Sequence, residues 1–485
     1  MNDLLKDLLK AAVILPAYLV VAPLLGWVLS RHRVLERAAL CLLVFMPSWF
    51  PGKLTLMIQS VELYRGHTKG FEASLIEIVA VALLACAAFR GGPHFRWLPP
   101  GAWLYLAWCF LSCLSLAPAG NKTYALMAAV KFTKVVLVFI GAFQALRDEE
   151  DLRWLLHALA FSLVLQALVC LKMRFLDGRW QVHGWFEHQN PMAMWAYLCA
   201  LPLLSVALAP QTLPRDTASY LAGFAAAGLM ILLSVSRAAL GAFAVGSVLV
   251  VGLAAARGIS WKLAGICSAG GVGALIVSLV ALDSFVTRMS EASSRTEEQD
   301  LRAILNAQSS AMLHDHLLGV GWNNFGVANS LPVEKYAAIL MDWDQSRGFR
   351  LIEENYLANP LTESLYWLLL AENGYPGFAS FLVFLLATLW WGVRGLAAFW
   401  RTPAGYFAAG LLVALAITYL HGTVERVLTQ TKNLSMWLIM AGCLARLEFN
   451  RRHGLALSCP SEPRPARLPR TNSPAFAVRL NPSPA

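Results

Sequence analysis

LDSFVTRMSEASSRTEEQDLRAIL (Leu282–Leu305) opens the only long polar interval in this sequence. The interval passes through MLHDHLLGVGWNNFG (Met312–Gly326) and closes with EENYLANPLTESLYWLLLAENGYPG (Glu353–Gly377) as the next apolar run begins. On either side the chain reads as one apolar run after another. A structureless loop of this length is uncommon in a compact protein, and long loops are usually functional. Leu301, Ile304, Leu305, Ala311 and Met312 recur at helical spacing, so one helix is expected over about Asp300–Leu313. Residues 282–361 therefore read as an extracytoplasmic cap. Helices are expected before it (1–281) and after it (362–447), with a Pro-, Ser- and Arg-rich disordered cytoplasmic tail at 448–485.

The chain of 485 residues is 58% hydrophobic and 14% charged, against about 25% charged for a soluble domain. That composition describes an all-α polytopic membrane protein. The net charge of +10 is spread over short loops and the tail, as orientation in a bilayer requires, and does not argue for nucleic acid. Most of the nine cysteines, Cys41, Cys86 and Cys109 among them, lie inside apolar runs as small buried hydrophobes. No CxxC pair argues for metal or redox work. Lys6 and Lys10 precede an apolar stretch, as in a signal peptide. That stretch runs to Ser30 without a small-x-small cleavage site, so it is read as a span.

Segments long enough to cross a bilayer fall at about 11–30, 38–56, 72–89, 97–117, 123–145, 153–172, 191–209, 217–235, 238–256, 262–282, 365–391, 404–420 and 433–446. Twelve spans with both ends inside would follow if one of these is re-entrant. Alternate connections carry arginine, from Arg31, Arg33 and Arg37 through Arg90, Arg147 and Arg394 to Arg451 and Arg452, and these are expected in the cytoplasm. The long loop then lies outside, with the turns at Gly184–Asn190, Ser236–Arg237 and His421–Lys432.

Three features gather on that outer side. In GWFEHQN (Gly184–Asn190), Asn190 suits a helix cap followed by Pro191. Arg237, between two apolar runs, is either an interface anchor or a cation facing a cavity, and Arg302 either a surface charge or a ligand group. Glu363 stands where the chain re-enters the membrane, a position that the helix dipole alone would favour. Glu372 and the Gly374–Gly377 break lie deeper and mark a kink.

GWFEHQNPMAM, SVSRAALGAF, LRAILNAQSSAMLHDHLLGVGWNNFG and TESLYWLLLAENGYPG together resemble the ordered motifs of the O-antigen ligase and O-antigen polymerase superfamily, over roughly Gly184 to Gly377. The resemblance implies a multi-pass protein of the bacterial inner membrane with its active site facing the periplasm. It implies a glycosyltransferase that moves glycan from undecaprenyl pyrophosphate to lipid A-core, a growing polysaccharide or a protein. Membrane lipid is then a partner, and neither a cofactor nor a metal is implied. Ligases of the family carry His-Asn where this chain has Glu363-Ser364.

On that resemblance Arg237 and Arg302 hold pyrophosphate, since arginine offers a permanent charge and a bidentate fork. Glu363 serves as the general base. His188, Asn190, Trp322, Asn324 and Tyr356 are candidate substrate contacts, and His421 with Glu425 a compensating pair. A transporter or flippase for lipid-linked glycan is the alternative, because broken helices are common in transporters.

The arginine alternation makes a direct prediction. A Ser293→Cys variant, in a background without accessible native cysteine, is expected to react with a membrane-impermeant thiol reagent added from outside. Labelling only after the inner membrane is opened would reverse the topology.

Overall fold

The apolar runs are helices. The computed structural model describes residues 3–49, 55–61, 64–92, 95–271, 292–329, 335–336, 338–339 and 361–455. Among these residues, eight helices are long and apolar enough to cross a membrane, from Leu5–Arg31 to Pro403–His421. Arg33–Trp49, Leu75–Arg90 and Ala102–Ser112 are shorter, and Thr431–Arg452 is more polar at its end. The protein is an all-α polytopic membrane protein. The helix expected at 262–282 is seen from 261 to 271, and its remainder lies outside the described residues, as does most of the segment 330–360.

Helix starts follow from local chemistry. Ser74 and Glu77 form a capping box ahead of Leu75–Arg90, and Asp148 with Asp151 forms another ahead of Glu149–Leu171. Thr402 caps Pro403–His421, which has proline at its first position. The helix expected over Asp300–Leu313 runs from Ala292 to Asp315 and packs on Leu365–Ala398. The last helix continues to Arg452, past residue 448 where the tail was expected to begin; 456–485 lie outside the described residues.

One element departs from the all-helical expectation. Thr55–Ile58 and Phe71–Ser74 pair as an antiparallel hairpin, Thr55 opposite Ser74 and Ile58 opposite Phe71. The expected segments 38–56 and 72–89 overlap the two strands in part, and Phe71–Ser74 runs directly into the apolar helix Leu75–Arg90.

The connections sort into two ends. At one, Arg33 and Arg90 each reach Glu36 at 2.5 Å, Arg147 reaches it at 3.2 Å, and Arg37 lies 3.0 Å from Asp151. Arg153 pairs with Asp216 and Arg394 with Glu448. These are the arginine-bearing connections of the sequence reading. The hairpin, residues 184–190, the 317–325 segment and residues 421–432 meet at the other end. Lys10 donates to the Met57 carbonyl at 2.6 Å, which puts the start of the first helix at the hairpin end, while Arg452 lies at the arginine end.

The long helix Leu365–Ala398 is broken inside at Gly374 (φ 64°, ψ −171°). The freed backbone is satisfied by residues 317–321: Val320 N donates to Ala371 O at 2.9 Å, Gly321 N to Glu372 O at 3.1 Å, and Tyr375 N to Leu317 O at 3.0 Å. A broken helix at membrane depth persists only when neighbours take up its polar groups in this way. The approach requires two glycines. A Cβ on Gly319 would stand 2.3 Å from Glu372 O, and one on Gly374 2.3 Å from Leu317 O.

Gly374→Ala combines that collision with a left-handed backbone, a strain of about 1–3 kcal/mol before any clash. It is expected to lower the thermal unfolding temperature in detergent or to prevent accumulation. Gly241, inside a helix with nothing within 4 Å of its Cβ position, is the control, and Gly241→Ala should be neutral or slightly stabilising. Equal behaviour of the two variants in a thermal-unfolding assay would show that the interlock contributes little.

Candidate functional site

Four segments distant in sequence meet at the hairpin end. The helix Ala292–Asp315 supplies Arg302, and Glu363 stands just before Ser364, whose hydroxyl caps Leu365–Ala398. Asn190 lies in the first turn of Gln189–Ala207, and Glu425 follows Pro403–His421, its N–H donating to His421 O at 3.0 Å. Arg302 Nε donates to Glu363 Oε2, and its outer nitrogen lies 3.9 Å from Glu425 Oε1. Asn190 Nδ2 donates to the same Glu425 oxygen at 2.5 Å.

The Glu363 side chain is 41% exposed and that of Glu425 12%, so one carboxylate is open to a solute and the other enclosed. A pair as exposed as Arg302–Glu363 contributes about 0–1 kcal/mol to stability. Its side chains can therefore be replaced without unfolding the protein.

His188, not Asn190, is the cap of Gln189–Ala207, its Nδ1 accepting from Asn190 N at 3.4 Å. A histidine can accept there as asparagine would, and this leaves the Asn190 side chain free to reach Glu425. Burial lowers the pKa of His188, His183 adds to that, and Glu363 opposes it, so His188 also borders the cluster. Burial likewise lowers that of Arg426, against the pull of Glu363, Glu425 and Glu372.

Behind the cluster lies a buried anchor. Glu372 accepts from Asn323 N at 2.9 Å and Phe325 N at 3.0 Å, and its Oε2 lies 2.7 Å from His67 Nε2. The Asn323 carboxamide accepts from His67 N at 2.6 Å and donates to Thr68 O and Tyr124 O. The Glu372 carboxylate thus fastens the broken helix, the 317–325 segment and the hairpin in one place.

The remaining candidates are placed as follows. Arg237 is the exposed first residue of Arg237–Ala255. His421 is buried with Nδ1 2.9 Å from the Tyr197 hydroxyl. Trp322 is fully buried and stacks on Phe132 at 4.7 Å. Asn324 is buried too, exchanging hydrogen bonds with the Asn121 backbone at 2.7 and 3.0 Å. Tyr356 lies outside the described residues. Among the described residues no three His, Cys, Asp or Glu side chains gather as a metal site needs.

Sequence reading missed His67, Arg65, Lys69 and Lys131. The signal was there: Arg65 and Lys69 are two cations on a connection that the alternation puts on the outer side. The fold and the polar cluster at one end of its bundle define a class, an all-α polytopic membrane protein with a charged site at one end of the bundle. Neither any family model nor any curated protein matches the chain.

Glu372→Ala leaves two buried amides and an imidazole without their acceptor, at about 1–3 kcal/mol for each orphaned group. It is expected to reduce the yield of folded protein severely, whereas Glu363→Ala should leave yield and melting unchanged. A Glu372→Ala protein that melts like the parent would show that the anchor does not hold the fold.

Proposed function

We propose that the protein is a membrane glycosyltransferase of the O-antigen ligase and polymerase type. It moves glycan from undecaprenyl pyrophosphate to a hydroxyl acceptor, lipid A-core, a growing polysaccharide or a protein, on the periplasmic face of a bacterial inner membrane. The observation that carries this reading is the convergence of Arg302, Glu363, Glu425 and Asn190, from four separate segments, into one solvent-reachable cluster.

In this mechanism the acceptor hydroxyl gives its proton to Glu363 as its oxygen bonds to the anomeric carbon. The bond from that carbon to the phosphate oxygen breaks, and undecaprenyl pyrophosphate leaves with the electron pair. Arg302 pairs with Glu363 before donor arrives. A pyrophosphate that draws Arg302 to itself replaces one anionic partner with another and frees the carboxylate for the acceptor. Arg237, exposed at the same end, is the second donor-binding cation. Glu425, held by Asn190, keeps Arg302 in reach once Glu363 is released.

Glu363→Gln keeps the shape without the basicity. A positioned general base contributes ~10²–10⁴-fold, so transfer from a purified lipid-linked donor should fall by that order with melting unchanged. Glu363→His should retain part of the activity. Near-normal turnover by Glu363→Gln removes the base assignment, and a wild-type protein that carries lipid-linked glycan across vesicles without transferring it favours the flippase alternative.

A further inference from the structure

Beside the cluster, where Glu187 adjoins His188 and Arg426 adjoins Glu425 in sequence, a cavity of about 470 Å³ opens between the hairpin and the helix starts. This is the size of ordinary ligand pockets, about 300–1,000 Å³. Five cations line it: Arg65, Lys69, Lys131, Arg426 and Lys432. Two carboxylates, Glu72 and Glu187, face them.

Part of this charge is already engaged. Lys131 donates to His67 O at 2.6 Å and lies 3.8 Å from Glu72, which also accepts from Thr68 at 2.8 Å and Thr431 at 2.9 Å. Lys432 donates to Trp185 O and stands 5.0 Å over the Phe186 ring. Arg65, Lys69 and Arg426 make no side-chain hydrogen bond or ion pair among the described residues. Arg65 is close enough to Arg426 to work against its charge. Five cations thus face two carboxylates across a pocket whose Met46, Pro47, Leu75 and Ile76 side keeps the local dielectric low. Like charges gathered against such a wall are relieved by a multivalent anion, and two guanidinium forks match phosphate geometry.

We propose that this cavity is a binding subsite for a phosphate-bearing group, held by Arg65, Lys69 and Arg426 with Trp185 and Phe186 beside it. Anion binding stands apart from the transfer reading; calling the cavity a substrate subsite rests on it. Two sources carry the same chemistry, the pyrophosphate of the donor lipid and a phosphate on the acceptor glycan. On either, the cavity lies next to Glu363 and Glu425 and delivers its ligand to the same place.

The test uses full-length protein purified in detergent and inorganic pyrophosphate as the probe. Wild-type protein should bind it saturably, with affinity that falls as salt rises. The R65Q/K69Q double variant should weaken binding at least about tenfold, with ligand-free melting unchanged because both side chains are exposed and have no ion-pair partner among the described residues. Lys172→Gln, which removes an exposed cation paired to Asp177 elsewhere, should bind like wild type. Arg426→Gln provides a second reading should the double variant fail to fold. Absence of saturable binding, or equal affinity in wild type and the variants, overturns the proposal.

Competition then separates the sources. A short-chain polyprenyl pyrophosphate displacing the probe better than a sugar 1-phosphate assigns the cavity to the donor. The reverse order assigns it to the acceptor, and displacement by neither overturns the subsite. If the variants lose binding while wild-type protein transfers no glycan, the transfer reading falls and the anion site stands.

Discussion

The contact between the 317–321 segment and the interrupted helix at Glu372–Gly374 is the constraint on which the hairpin end depends. A helix opened at membrane depth exposes amides and carbonyls that lipid cannot satisfy, each at several kcal/mol. Here backbone from another part of the chain satisfies them, as a short strand would. The Glu372 side chain is thereby turned toward the loop amides and His67, so one interruption both admits the loop and supplies the carboxylate that fastens it. The position of Glu363, nine residues earlier on the same re-entering segment, follows from this fastening.

The two ends of the bundle use charge in opposite ways. At the arginine end, Glu36 and Asp151 are 1% and 0% exposed, each ringed by more than one guanidinium. Buried carboxylates persist when paired in this manner, and losing a partner is costly. The charges that orient the chain are therefore also its internal clasps. At the hairpin end the Glu363 carboxylate is partly open, and of the five cations lining the cavity only Lys131 lies within 4 Å of a carboxylate among the described residues. One end is electrostatically closed and the other is left available.

Much of the architecture was legible because long apolar runs and arginine spacing are strong, local signals. The break at Gly374 was legible for the same reason, as Gly-x-x-Gly inside an apolar run has few other meanings. The hairpin was hidden because its strands are short and the second runs directly into a long apolar helix. The anchor was invisible since His67 and Glu372 are 305 positions apart, and nothing in either neighbourhood points to the other. Trp322 shows a different limit. An aromatic residue in a polar interval suits a sugar face and a core plug equally well, and its stacking on Phe132 is decided by packing across the bundle.

The interlock also governs how this sequence can drift. Gly319 and Gly374 each occupy space that the other's backbone neighbours leave only for a hydrogen atom, so neither position is free to change while the other stays. Glu372 is tied to two amides whose placement depends on the turn at Gly321 (φ 107°). Lipid-facing residues on the spanning helices, by contrast, need only remain apolar, and their identities can be exchanged almost without limit. Two chains of this architecture could therefore lose all overall resemblance while keeping a G-x-G in the 317–321 segment and an E-x-G within the following helix. In such a lineage, ancestry survives in two short phrases that constrain each other and fades everywhere else.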